Sequence, residues 1–168
     1  MSSEHPDSPL GPLIDSHPVK VAVTSDVVVD VHPFDFHALG LAGVIDRLAA
    51  RMRSVGLKVA LEVGHAEAEI DRRIAILLYR VTDELFRNIV AHALAQEVKI
   101  LLQVAPGAIE LSVQDDGTGF HGNRLLSTEA AEGGLRKLHR AVGRAGGYLD
   151  VRSSEETGTC VTVQLPLD

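Results

Sequence analysis

The 168-residue sequence predicts a two-layer α/β sandwich, a mixed sheet with helices packed on one face. Apolar residues recur at helical spacing within 38–54, 74–93 and 133–147, and segments alternating apolar with polar residues lie between and after them. The order is helix, strand, helix, two strands, loop, helix, two strands, too irregular for a doubly wound parallel sheet. With 45% hydrophobic residues the chain can fill one good core and is short for two, so a single domain is expected.

Residues 1–18 carry four of the seven prolines together with Ser, Asp and His. That composition cannot bury enough surface to order itself, and a flexible tail is expected. Val19 to Val31, VKVAVTSDVVVDV, is rich in β-branched residues, and its spacing fits a strand, a hairpin or the end of a helix. Pro33-Phe34-Asp35-Phe36-His37 breaks the pattern. From Ala38 to Ser54, Leu41, Val44, Ile45, Leu48 and Met52 share one side, Asp46, Arg47 and Arg51 the other, and Gly56 ends the helix. Leu57 to Val63 alternates as a half-buried strand, and the acidic loop Gly64 to Glu69 leads to the central helix.

Val98 to Val104 and Ile109 to Gln114 form two strands joined by Ala105-Pro106-Gly107-Ala108, a hairpin turn by composition. Gly119 to Glu132, GFHGNRLLSTEAAE, has no usable periodicity and is long enough for a mobile lid. Gly133-Gly134 opens a helix carrying Leu135, Leu138 and Val142, closed by Gly146-Gly147. Tyr148 to Arg152 and Thr159 to Pro166 then make a second hairpin around Glu155-Glu156-Thr157-Gly158.

Composition excludes several functions. A formal net charge of −7 argues against nucleic acid, whose phosphates demand clustered basic surface. The local run Arg136, Lys137, His139, Arg140, Arg144 reads first as a solvated helix face. Only 4% of residues are aromatic, so stacking platforms for bases are not expected. One cysteine, Cys160, excludes an internal disulfide framework and suits a reducing compartment. The histidines lack zinc-ligand spacing, so any metal should arrive with a ligand. No signal peptide or membrane-length apolar run is present, and a cytoplasmic chain without direct membrane contact is expected.

The central stretch Leu78 to Ala93, LYRVTDELFRNIVAHA, sets Glu84, Asn88 and His92 four residues apart. At about 100° per residue, Asn88 and His92 fall in the apolar half of the helix and Glu84 on its border. Inward carboxylate, amide and imidazole are costly unless paired, so they should line a cavity holding something polar. Downstream, Gln114-Asp115-Asp116-Gly117-Thr118-Gly119-Phe120 places a carboxylate at a strand end before two glycines that permit close backbone approach. A lone D-x-G-x-G is weak; joined to E-x-x-x-N-x-x-x-H on a preceding helix, it is strong.

The pair resembles the N-box and first glycine box of the GHKL superfamily of ATP-binding proteins. From about Val29 onward the chain is similar to the catalytic ATP-binding domain of bacterial sensor histidine kinases. The nearest pattern is the nitrate-sensing branch, on Leu78-Tyr79-Arg80-Val81 and on Gly158-Thr159 with Val161 to Pro166. Val29-Asp30-Val31-His32-Pro33 and Leu39-Gly40-Leu41-Ala42 resemble the junction with a dimerisation helix. The resemblance implies a Bergerat-type sandwich, with residues 19–37 a remnant of or linker from the dimerisation region and 38–168 the ATP-binding domain.

It also implies roles. Asn88 would hold Mg²⁺ against the phosphates of ATP, and Asp115 would accept a hydrogen bond from the adenine amino group. Gly117 and Gly119 would let backbone pass the nucleotide, and Thr159 would support the adenine pocket. Gly133, Gly134 and Leu135 would form the second glycine box. Glu84 would orient or deprotonate the attacking group, and His92 would contact phosphate. The implied activity is transfer of the γ-phosphoryl group to a histidine on a separate dimerisation domain, then relay to a response regulator.

Two departures stand out. The family's second box reads G-x-G-L, and Glu132-Gly133-Gly134-Leu135 puts a carboxylate in place of its first glycine, where it would repel a triphosphate unless Mg²⁺ or Lys137 intervened. No phosphoacceptor histidine followed by an acidic residue lies on a long dimerisation helix, so the chain as given is not expected to phosphorylate itself. Competing readings are a stand-alone serine kinase of the anti-sigma-factor type and a degenerate nucleotide-binding module that regulates a partner.

Overall fold

In a computed structural model of the chain, residues 33–64, 70–119 and 133–167 are described. The expected tail, the undecided Val19–Val31 segment, Glu132 and nearly all of the expected lid lie outside the described residues. The helices are α1 (Pro33–Ser54), α2 (Arg72–Asn88) and α3 (Gly134–Arg144). The strands are β1 (Lys58–Gly64), β2 (Glu97–Ala105), β3 (Ala108–Asp115), β4 (Tyr148–Ser154) and β5 (Gly158–Pro166).

Alternation along the strands produces the sheet, in the order β1-β2-β3-β5-β4. β1 runs parallel to β2, and every other neighbouring pair is antiparallel. A parallel pair needs a long crossover, which α2 provides; the antiparallel pairs β2–β3 and β4–β5 close as short hairpins. Gly107, at φ 79°, makes the first of those turns. The mixed sheet with helices is the architecture expected from the order of elements.

Register sorts the inward residues into cross-strand rows. Val63, Leu102, Leu111, Val163 and Leu149 make one; Leu61, Ile100, Val113, Val161 and Val151 make the next. Most are buried, as are Ile45 and Leu48 of α1, Leu78, Val81, Leu85 and Phe86 of α2, and Leu138 and Val142 of α3. Each such side chain contributes on the order of 2 kcal/mol relative to exposure. The third row reads Val59, Val98, Asp115, Thr159 and Ser153. There the inward face turns polar.

Two helices differ from the periodicity. Helical backbone begins at Pro33, not Ala38, and is broken at Gly40, whose φ of 64° and ψ of 179° are not helical. α2 starts at Asp71, whose carboxylate accepts from the Arg73 amide at 2.7 Å, a cap worth about 1 kcal/mol. After Asn88 it winds wider, with i→i+5 geometry over Ile89–Ala93, and ends on Leu94 at φ 52°. The even four-residue stripe of Glu84, Asn88 and His92 therefore does not continue inward: Glu84 and Asn88 are half-buried, and His92 is exposed.

Candidate functional site

The polar row opens beside the wide turn that ends α2. Asp115 is the last residue of β3 and is only 5% exposed. Its Oδ1 accepts from the Gly117 amide at 2.9 Å, and the Thr159 amide also supports the carboxylate. Burial raises its pKa above the ordinary 3.8, against the lowering effect of those amides, with neighbouring Asp116 adding a small rise. Desolvation outweighs hydrogen bonding, so this carboxylate is held where a charge is costly. Asp115 and Thr82 are the buried polar residues among those described, and Thr82 is satisfied within its own helix by the Leu78 carbonyl at 2.9 Å.

The loop after Asp115 is fastened by backbone. The Thr118 amide donates to the Ala93 carbonyl at 2.7 Å, tying the glycine loop to the wide turn. Asp116 turns the other way, its Oδ1 accepting from the amides of Gln96 at 2.8 Å and Glu97 at 2.9 Å. These two bonds hold its carboxyl below the usual range. A Cβ at Gly117 would meet the Ala93 carbonyl oxygen, with Ala93 Cβ at 2.7 Å and Asp115 Oδ1 at 2.8 Å. Gly119, at φ 56°, presses on the Ser154 carbonyl in the same way. The missing side chains of both glycines thus make room for the protein's own backbone.

Thr159 faces Asp115 across β5 and shares a hydrogen bond with Ser153 at 2.8 Å. Gly158, at φ 74°, leaves no room for a Cβ against the Asp115 carbonyl. Ser153, Gly158 and Asp116 were not among the residues expected at the site. The register, which sets β4 and β5 beside Asp115, shows what Ser153 and Gly158 do, and the bonds to Gln96 and Glu97 show what Asp116 does.

The other side of the candidate site is built from helix ends. Asn88 closes α2 half-buried, and His92 is exposed on the wide turn. Glu84 lies one helical turn before Asn88, its side chain 27% exposed and its Oε2 3.9 Å from Arg87 Nη1. Gly133 caps α3 without a side-chain hydrogen bond, and Gly134 abuts the Glu84 carboxylate. Leu135 is half-buried in that first turn. α2 and α3 pack together, so Glu84 and Gly134 are brought into contact. Among the described residues, no group of three or more His, Cys, Asp and Glu could hold a metal ion. No described helix is long and apolar enough to cross a membrane.

Comparison with known proteins places this geometry. Residues 74–168, more than half of the chain, match the family of histidine kinase-, DNA gyrase B- and HSP90-like ATPases. The chain is 28% identical over 149 residues to the sensor histidine kinase ComP of Bacillus subtilis (88% of this chain, 19% of that protein). It is 30% identical over 141 residues to the sensor histidine kinase NarS of Mycobacterium tuberculosis (82% of this chain, 32% of that protein). The chain therefore spans about a fifth to a third of the length of these curated relatives.

Among solved structures, the histidine kinase domain of the blue-light activated kinase of Erythrobacter litoralis superposes with a TM-score of 0.58 at 23% identity (76% of this chain, 61% of that one). The mycobacterial sensor histidine kinase MprB gives 0.54 at 22% identity (73% and 91%). Both share the fold. The chain belongs to the histidine kinase-, DNA gyrase B- and HSP90-like ATPase family, as an ATPase domain of the sensor histidine kinase type.

Proposed function

We propose that this chain binds Mg·ATP and transfers the γ-phosphoryl group to a histidine on a dimerisation domain outside it, for relay to a response regulator in the cytoplasm. The observation that carries this reading is Asp115, a buried carboxylate supported by two backbone amides at the polar end of the inward sheet face. A carboxylate offers about four acceptor positions, so two amides leave capacity for a donor such as the adenine amino group. Guanine, with a carbonyl at the corresponding position, would meet repulsion. Thr159, held by Ser153, supports that pocket from β5, and Gly117 and Gly119 keep the loop low enough for a nucleotide to lie along it.

On the phosphate side, Asn88 offers a half-buried amide oxygen, a hard donor suited to Mg²⁺, which when bound would neutralise phosphate charge. His92, exposed on the wide turn, would contact a phosphate oxygen, and Gly133, Gly134 and Leu135 would form the second glycine box at the first turn of α3, where Gly134 lies against Glu84. In the transfer, a neutral imidazole nitrogen of the acceptor forms a bond to the γ-phosphorus as the bond from phosphorus to the ADP oxygen breaks. The proton on the other ring nitrogen passes to the Glu84 carboxylate. Phosphoryl transfer needs mainly positioning and charge stabilisation, which a site with few reactive groups can supply.

The test is phosphoryl transfer from radiolabelled Mg·ATP to a supplied histidine-bearing helix pair, with ATP binding measured in parallel. Acid-labile, base-stable label on the helix pair is the expected outcome. Tight ATP binding with no transfer would favour the regulatory-module reading, and label on a serine would favour the serine kinase.

A further inference from the structure

Gly134 has no backbone reason to be glycine. It lies in the first turn of α3, and its φ is not in the left-handed region. Alanine is ordinarily a better helix former than glycine at such a position. The obstacle to a Cβ is instead the Glu84 side chain, whose Oε1 and Cδ fill the space, with Cγ 2.8 Å away. This separates Gly134 from Gly117, Gly119 and Gly158, where the blocking atoms include backbone carbonyls. Carboxylates are favoured at helix N-termini, and Gly133 provides no side-chain cap to compete for that end of α3. Arg87, on the same helix, makes its short ion pair to Asp83 at 2.6 Å and a longer one to Glu84 at 3.9 Å.

We infer that Gly134 is a positioning residue for Glu84: the missing Cβ seats the carboxylate against the first turn of α3, and so sets where the proton-accepting group meets the attacking imidazole. This rests on the transfer reading above and deepens it. A Cβ here displaces the far end of a flexible side chain and leaves the helix where it is, so substitution moves the base without unfolding its support.

The experiment compares Gly134→Ala, Glu84→Gln, the double variant, and Gly134→Ala with Glu84→Asp, whose shorter side chain restores the space. The full chain is used with Mg·ATP and the supplied histidine-bearing helix pair. Displacing a catalytic group by about 1 Å can cost on the order of 100-fold, so Gly134→Ala should lose about 10- to 100-fold in kcat for transfer, with far less change in KM for ATP. In the Glu84→Gln background the same substitution should add nothing, and Glu84→Asp should restore part of the lost rate. An equal loss with Glu84 already neutralised, or a loss confined to KM, would overturn the assignment. A second readout is the Glu84 side-chain carboxyl ¹³C resonance and its pH titration, which Gly134→Ala should shift. If the wild-type chain transfers no phosphoryl group, the proposed function fails, and this resonance still decides whether Gly134 seats Glu84; an unmoved signal refutes it.

Discussion

The two ends of the candidate site are built by different means. At the Asp115 end, the backbone amides of Gly117 and Thr159 and the close approach of Gly158 fix one buried carboxylate in the register of the sheet. At the Asn88 end, half-buried or exposed side chains stand on the last turns of α2 and the first turn of α3. Backbone hydrogen bonds in a sheet have few alternative arrangements, whereas side chains at helix ends have several rotamers. On the proposed function, recognition of the base would be built into the sheet, while the geometry for chemistry would depend on how two helices meet.

Substitutions can break the comparison at either end. The largest effect is expected at Gly158: alanine there must adopt φ near 74° and meet the Asp115 carbonyl, costing about 3 kcal/mol of stability by chemical denaturation. A loss under 1 kcal/mol would show that the Asp115 end is looser than described.

Asp116→Ala removes two amide hydrogen bonds that tie the glycine loop to β2 and should cost about 1 kcal/mol. Its pKa is lowered by those bonds, so its contribution is present above the unfolded carboxylate pKa and lost as pH falls through the lower folded value. The deficit of the variant should shrink in acid; a deficit independent of pH would contradict this.

Asp115 has the opposite sign. Its pKa is raised in the folded chain, so its favourable contribution is present below the unfolded value of 3.8 and lost as pH rises through the folded one. At pH 7 the buried charge is a burden, and Asp115→Asn should melt no lower than wild type, with any advantage fading toward acid. A marked loss of melting temperature at pH 7 would show that the carboxylate is structural. The smallest change is Leu94→Gly. Leu94 is 86% exposed in a left-handed conformation, so glycine should add about 0.5 kcal/mol, and destabilisation would mean that Leu94 packs on something.

How much of this was legible in the sequence follows the same division. Alternating Ile100, Leu102, Leu111 and Val113 announced strands with one covered face, and the structure sets those residues into cross-strand rows. Asp115 was legible because its D-x-G-x-G stands downstream of E-x-x-x-N-x-x-x-H on the preceding helix, and the two together are far more specific than either alone. The wide turn was not, because local periodicity carries no sign that the Thr118 amide bonds the Ala93 carbonyl. Hence His92 was expected inward and is exposed. Ser153 escaped notice, and Gly158 was read only as a turn and motif residue, because their importance at the site comes from β4 and β5 lying beside Asp115. The contact of Glu84 with Gly134 joins residues fifty apart in sequence, and neither local pattern predicts it.

The most direct test is calorimetric titration of the chain with Mg·ATP, set against Asp115→Asn. The account predicts saturable binding by the wild type and, because one charge-assisted hydrogen bond is worth roughly 1.5–3 kcal/mol, about a 10- to 100-fold loss in the variant. Equal affinity in the two proteins, or no binding by the wild type at millimolar nucleotide, would contradict Asp115 as the adenine-reading residue.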